Sequence, residues 1–179
     1  MAASLLLAAS MAIGYWTWRT YEPHAAMAAA FDVYLTEFQS SPEQAQRVLI
    51  DRYDGRPLDF TRASSEAGFE PNAPEELPDG FVRQGAYVLK MPCCICTQTI
   101  YKSKSGAVLA LFEHSEDQQL WFGDRPRIEA RCHDTPTHLV QLPGQLAATW
   151  KCGPRYLTVI GAQNVEQVAE LVARLDGRS

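Results

Sequence analysis

Residues 97–113 read Thr97-Gln98-Thr99-Ile100-Tyr101-Lys102-Ser103-Lys104-Ser105-Gly106-Ala107-Val108-Leu109-Ala110-Leu111-Phe112-Glu113. Two runs rich in β-branched, aromatic and aliphatic residues flank a short polar stretch that ends in glycine. Val, Ile, Thr and Tyr fit a pleated, half-buried surface, and a Ser/Gly-rich break of this length reverses the chain. The spacing predicts a hairpin of Thr97–Lys102 and Ala107–Glu113 around the turn Ser103–Gly106. More strand-like runs lie on either side. Ala86–Met91 precedes the hairpin. Ile128–Cys132 alternates weakly, and Thr137–Leu142 follows. Leu146–Lys151 and Arg155–Ile160 predict a second hairpin around Gly153-Pro154.

The chain then changes period. Asn164-Val165-Glu166-Gln167 opens a helix with the polar spacing of a capping box. Val165, Val168, Ala169, Leu171, Val172 and Leu175 recur at helical spacing and form one apolar face. The predicted fold class is α+β: an antiparallel sheet of roughly five to seven strands, covered on one face by the C-terminal helix.

Upstream, Ala25–Phe38 places Phe31, Tyr34, Leu35 and Phe38 on one helical face. A second helix begins with Ser41 as N-cap, Pro42 at the first helical position and Gln44 reaching back. Its apolar residues are Ala45, Val48, Leu49 and Tyr53, and Asp54-Gly55 ends it. Residues 55–82 hold Pro57, Gly68, Pro71, Pro74, Pro78 and Gly80. They read as an ordered wrap or short strands.

Residues 2–18, AASLLLAASMAIGYWTW, carry no charge and are followed by Arg19. As a helix this run reaches roughly 25 Å, near the lower limit for a bilayer span. Tyr15, Trp16, Trp18 and Tyr21 suit a membrane–water interface. A membrane anchor is the leading reading. A cleaved signal peptide with Ala26-Met27-Ala28 as its cleavage site, and a buried helix, are the others; no Lys or Arg precedes the run as an n-region would. Arg19 alone places the C-terminal side in the cytoplasm by the positive-inside rule, but long domains translocate largely regardless of charge. The expected division is an anchor at 1–22, a helical stalk at 23–54 and an α+β domain at 55–179.

The chain has 179 residues, enough for one domain with a core, and 46% of them are hydrophobic. Its formal net charge is -5, a poor match for a polyphosphate backbone, so nucleic acid is excluded as a partner. There is no P-loop and no G-x-S-x-G, and the chain reads as a non-enzyme. Trp121, Trp150, Phe122 and Phe112 read as core aromatics. His114 reads as a solvent-exposed strand end.

The least ordinary local feature is Met91-Pro92-Cys93-Cys94-Ile95-Cys96. Three thiols within four residues are soft ligands suited to Cu(I) or Zn(II). Alternation sends Cys94 and Cys96 to one side, and Cys132-His133 is the expected counterpart. The candidate metal ligands are therefore Cys93, Cys94, Cys96, Cys132 and His133, with Cu or Zn as cofactor. Cys93 and Cys96 have C-x-x-C spacing, but no second pair completes a zinc ribbon. His133 and His138 form an H-x₄-H pair with Pro136 between them. Three other readings stay open: a disulfide from the cluster to Cys132 or Cys152, inert buried thiols, and a redox-active thiol pair.

In order and pattern the chain resembles the extracytoplasmic sensory domains of single-pass transmembrane anti-sigma factors. The likeness lies in the apolar run, the helical stalk and the hairpin Gln98–Tyr101 with Val108–Phe112. It continues through the strand pair Thr149-Trp150 and Tyr156–Gly161, which leads into the helix Val165–Leu171. The resemblance implies a membrane-anchored regulatory or sensory domain on the extracytoplasmic side, with a regulatory protein as partner. It departs from the family in two ways: only Met1 precedes the apolar run, where such proteins carry a zinc-binding helical domain, and the Met91–Cys96 cluster is outside the family pattern. Either the chain is a stand-alone sensory or accessory domain or its start lies further upstream; the expected function is a non-enzymatic, membrane-anchored regulatory or sensory domain. A thiolate metal-binding protein and a thiol-dependent redox protein are the alternatives.

Overall fold

A computed structural model describes residues 27–92, 94–115 and 121–177. Helix α1 occupies residues 27–40 of the described chain, and α2 spans Pro42–Arg52. A two-residue strand β1 (Arg56–Pro57), a short helix α3 (Ala63–Ala67) and a two-residue strand β2 (Glu76–Leu77) form the predicted wrap. The long strands follow: β3 (Phe81–Lys90), β4 (Ile95–Lys102), β5 (Val108–His114), β6 (Arg127–Cys132), β7 (Thr135–Leu142), β8 (Gln145–Cys152) and β9 (Arg155–Ala162). Helix α4 (Val165–Leu175) closes the described chain.

Among the described residues nine strands make one sheet in the order β1-β3-β4-β5-β9-β8-β7-β6, with β2 on the outer side of β3. Every pairing is antiparallel. Two-residue turns explain most of this. Pro143-Gly144 joins β7 to β8 with Gly144 at φ 71, and Gly153-Pro154 joins β8 to β9 with Gly153 at φ 59. Strand β9 then inserts beside β5, so the hairpin β4–β5 and the meander β6–β9 become one sheet.

Alternation gives this sheet two apolar faces. On one, Tyr101, Leu109, Leu111, Ala148, Trp150, Leu157 and Val159 pack with Val168, Leu171, Val172 and Leu175 of α4. The side chain of Asn164 caps that helix by accepting from Gln167 N–H at 2.8 Å. The other face is also covered, where the sequence pattern pointed to one covered face. Phe31, Tyr34, Leu35 and Phe38 of α1 and Ala45 and Leu49 of α2 join Leu89, Cys96, Ala110, Phe112, Ala147 and Ile160. Aromatic contact is dense there: Phe31 touches Tyr34, Phe112, Trp121 and Phe122 at centroid separations of 4.9–5.7 Å. The helix reads as a stalk because its apolar face is narrow; its partner is the equally apolar back of the sheet, which only the pairing reveals.

The capping box expected at α2 does not form. Ser41 makes no side-chain cap bond, and Gln44 N–H donates to the Ser41 carbonyl at 3.0 Å instead.

The single-pass anchor needs correction too. Among the described residues no helix is long and apolar enough to cross a membrane. Helix α2 has eleven residues, and α1 spends its apolar face on the sheet. The run 2–18 lies outside the described residues. A single-pass membrane location is therefore not supported by any helix of the described residues.

Candidate functional site

The cysteine cluster sits where β3 turns into β4. Register places Leu89 opposite Cys96 and Lys90 opposite Ile95. Cys96 faces α1 and is fully buried, whereas Cys94, just before the strand, is half-buried. The two sulfurs are 3.2 Å apart, a non-bonded contact. Met91 N–H donates to the Cys94 carbonyl at 3.1 Å, and Lys90 N–H donates to the Tyr53 carbonyl at 2.9 Å. The turn is thus fastened to the end of α2. Lys90 Nζ also meets Asp54 at 2.7 Å, and Arg56 meets the same carboxylate at 3.0 Å. These two cations hold the exposed Asp54 carboxyl below its ordinary range, the Lys90 hydrogen bond most of all. Cys93 lies outside the described residues.

The remaining predicted ligands are elsewhere. Cys132 is buried in the α4 face of β6, and His133 occupies the β6–β7 turn at φ 47. Five inter-strand steps separate β4 from β6, on the order of 24 Å. Cys132-His133 therefore cannot complete a site with Cys94 and Cys96, nor can a disulfide join Cys132 to them. Among the described residues no three Cys, His, Asp or Glu side chains converge to hold a metal ion. The expected Cu or Zn site is corrected to this extent: Cys132 and His133 do not join Cys94 and Cys96, and no metal-binding group is found among the described residues. His138 lies beside Glu129 on the opposite strand, 4.0 Å away.

Two polar clusters escaped the sequence reading. Under α1, Gln98 Nε2 contacts the Tyr34 hydroxyl at 3.2 Å. Burial raises that hydroxyl above its ordinary range, and the Gln98 contact offsets only part of this. Farther along the same face, His114 Nε2 lies 3.3 Å from Thr158 Oγ1, which lies 3.1 Å from Thr149 Oγ1. The His114 ring packs between Trp121 and Tyr156. His114 is therefore core, not an exposed strand end. Its β5 neighbours pair with β9 on one side and β4 on the other, which makes β5 central.

The second cluster is at the end of α4. Glu113 is buried, accepts from Asn72 N–H at 2.7 Å and pairs with Arg155 at 3.3 Å. Burial pushes its carboxyl up, against the pull of Asn72 and Arg155. Arg155 stacks its guanidinium on the Phe69 ring. Asn72 Nδ2 donates to the Leu175 carbonyl at 2.6 Å. Cys152 lies beside it, and burial first, then Asp176, pushes its thiol up to about 11. A thiol so held stays protonated, and therefore slow to react, near neutral pH. These contacts lock the 69–74 wrap to the sheet and α4.

No family model, no curated protein and no solved structure matches the chain.

Proposed function

We propose that the protein is a non-enzymatic sensory or regulatory domain whose responsive element is the Cys94–Cys96 thiol pair. The observation that carries this is the 3.2 Å sulfur separation, with one thiol half-exposed and the other in the α1 core. An incoming disulfide reaches Cys94 first. Its thiolate attacks one sulfur of the reagent and expels a thiol. Cys96 then attacks the mixed disulfide at Cys94 and expels the second thiol. The pair is oxidised by two electrons, and the reagent disulfide is reduced to two thiols. Closing the gap from 3.2 Å to the roughly 2.05 Å of a disulfide moves the backbone at residue 94. That backbone is hydrogen-bonded to Met91, one residue from the Lys90–Tyr53 link to α2. The docking of α2 is the natural readout of the thiol state. The resemblance in sequence order to the sensory domains of anti-sigma factors favours a protein partner that would read the change.

The test is oxidised glutathione titrated against the full chain, with peptide mass mapping. The expected result is loss of two hydrogens on the peptide carrying Cys94 and Cys96, together with altered protease sensitivity around residues 53–56. A Cys94–Cys96 pair that stays reduced in excess reagent sinks the sensory reading. Multiple turnovers in a disulfide-reduction assay sink the non-enzymatic one.

A further inference from the structure

Strand β6 ends the sheet, paired to β7 on one side and to no strand of the described residues on the other. Its sequence is Arg127-Ile128-Glu129-Ala130-Arg131-Cys132. His133 and Asp134 make a two-residue turn with φ 47 and 67, closing on the Cys132–Thr135 pair. Both residues in the left-handed region define a type I′ hairpin, whose closing pair is the hydrogen-bonded kind. Counting back, Ile128, Ala130 and Cys132 bond to β7. The alternate pair Arg131–Pro136 agrees, because Pro136 has no N–H to give. The N–H and C=O groups of Arg127, Glu129 and Arg131 therefore point away from the sheet. Ile128 sits beside this edge, 63% exposed although its β7 neighbour Leu139 is 5% exposed.

We propose that this edge pairs with β6 of a second copy of the chain, antiparallel and centred on Ile128. A two-fold axis normal to the sheet keeps the faces aligned, so a residue can only oppose one of the same parity. Centring on Ile128 sets the two Ile128 side chains against each other. It sets Arg127 opposite Glu129 of the second copy, and Glu129 opposite its Arg127. The outward N–H and C=O groups of these residues form the hydrogen-bonded pairs. Centring one residue on sets Glu129 against Glu129 and Arg127 against Arg131, a like-charge arrangement that disfavours this register. The strand's charge order is complementary to itself, which favours a second copy as the occupant. Centring on Ala130 also sets Glu129 opposite Arg131, but it would set the exposed Ile128 against the buried Cys132, so the Ile128-centred register is preferred. An interface of one short edge belongs to the small, weak class, so the dimer forms at high protein concentration.

Sedimentation equilibrium of the full chain, from about 10 μM to about 1 mM, a span chosen for weak association, tests this. The parent should rise from its 19.9 kDa monomer mass toward twice that value. Arg127→Glu alone and Glu129→Arg alone should each stay monomeric, because each places four like charges across the axis. Mixed in equal amounts, the two variants should associate again, as should the double variant Arg127→Glu/Glu129→Arg. Circular dichroism on each variant establishes that the fold is kept. The proposal is overturned by a parent that stays monomeric throughout, by single variants that associate as the parent does, or by a mixture that fails to recover association.

Discussion

The indole N–H of Trp150 donates to the Asp176 carboxylate at 3.2 Å, joining the buried face of β8 to the residue that ends α4. The other carboxylate oxygen accepts from the Thr135 hydroxyl at 2.7 Å. A negative charge at a helix C-terminus is disfavoured by the helix dipole. Asp176 is held there by two donors from two strands, one of them the indole of a fully buried tryptophan. Hydrogen bonds to a charged group are worth roughly 1.5–3 kcal/mol each, and a donor stranded in the interior costs a comparable amount. Asp176→Ala should therefore lower stability by about 2–4 kcal/mol. Urea unfolding followed by Trp fluorescence should show a lower midpoint at unchanged slope. A change within about 0.5 kcal/mol, the usual range for surface sites, would mean that these bonds hold nothing.

The same carboxylate acts on Cys152. Burial, with Asp176 next in importance, raises this thiol from an ordinary 9.0 to about 11. The thiolate is the reactive form, so at pH 8 the reactive fraction is down by about 100-fold. The sign follows: as pH rises toward 11, alkylation of Cys152 should accelerate about tenfold per pH unit. Iodoacetamide labelling of the native full chain, read by mass spectrometry, checks it. Asp176→Asn should bring the thiol down and speed its labelling. Fast labelling of Cys152 at pH 8 in the parent contradicts the burial described.

How much of this was legible depends on whether the deciding contact was local. The hairpin β4–β5 was readable because its strands, Ile95–Lys102 and Val108–His114, are neighbours in sequence with a Ser/Gly turn between them. Helix α4 was readable from its cap and its apolar stripe. The cover of α1 was not, because Phe31 meets Phe112 and Trp121 only after β5 has found β9. The burial of His114 escaped for the same reason. A strand end reads as exposed until a nonlocal strand, here Tyr156–Thr158, is laid against it. Cys94 and Cys96 came together by simple alternation, while Cys132 was misplaced because strand order is not sequence order. The type I′ turn at His133-Asp134 carries no glycine and so gave little signal.

Two residues in equivalent capping positions should behave differently. Asn164 accepts from Gln167 N–H, whereas Ser41 makes no side-chain cap bond. Asn164→Ala should cost roughly 0.5–2 kcal/mol, the usual value of a working cap. Ser41→Ala should fall within about 0.5 kcal/mol of the parent. Paired thermal or urea melts decide it, and equal losses at the two sites would contradict the geometry.

Phe31 is the anchor of α1. It is fully buried and touches four aromatic rings. Phe31→Ala should destabilise the chain by roughly 3–5 kcal/mol through lost transfer energy and the cavity left. Amide exchange should rise across residues 27–40 and in the facing parts of β5. If stability is kept and exchange changes only in α1, the helix is an appendage and not part of the core.

Gly161 makes the strongest backbone demand in the sheet. Its φ is +101, a conformation L side chains rarely adopt, and a β-carbon there would lie 2.4 Å from the Val108 carbonyl oxygen and 3.1 Å from a Phe38 ring carbon. The obstruction is backbone in a central strand, so it cannot swing aside as a flexible side chain could. Gly144, in the β7–β8 turn, also has positive φ at +71, but a β-carbon there meets nothing within 4 Å. The two glycines separate conformational strain from collision. Gly144→Ala should cost about 1 kcal/mol, the strain of the left-handed region alone. Gly161→Ala adds overpacking of roughly 1–3 kcal/mol and forces β9 away from β5. It should therefore lose about 3 kcal/mol or more in urea unfolding, with exchange of the β5 and β9 amides accelerated together. Phe38 lies on the far side of the same contact, so its α1 end should loosen as well. Equal losses at the two glycines would show that β9 does not approach Val108 this closely, and the joining of the hairpin to the meander would have to be drawn differently.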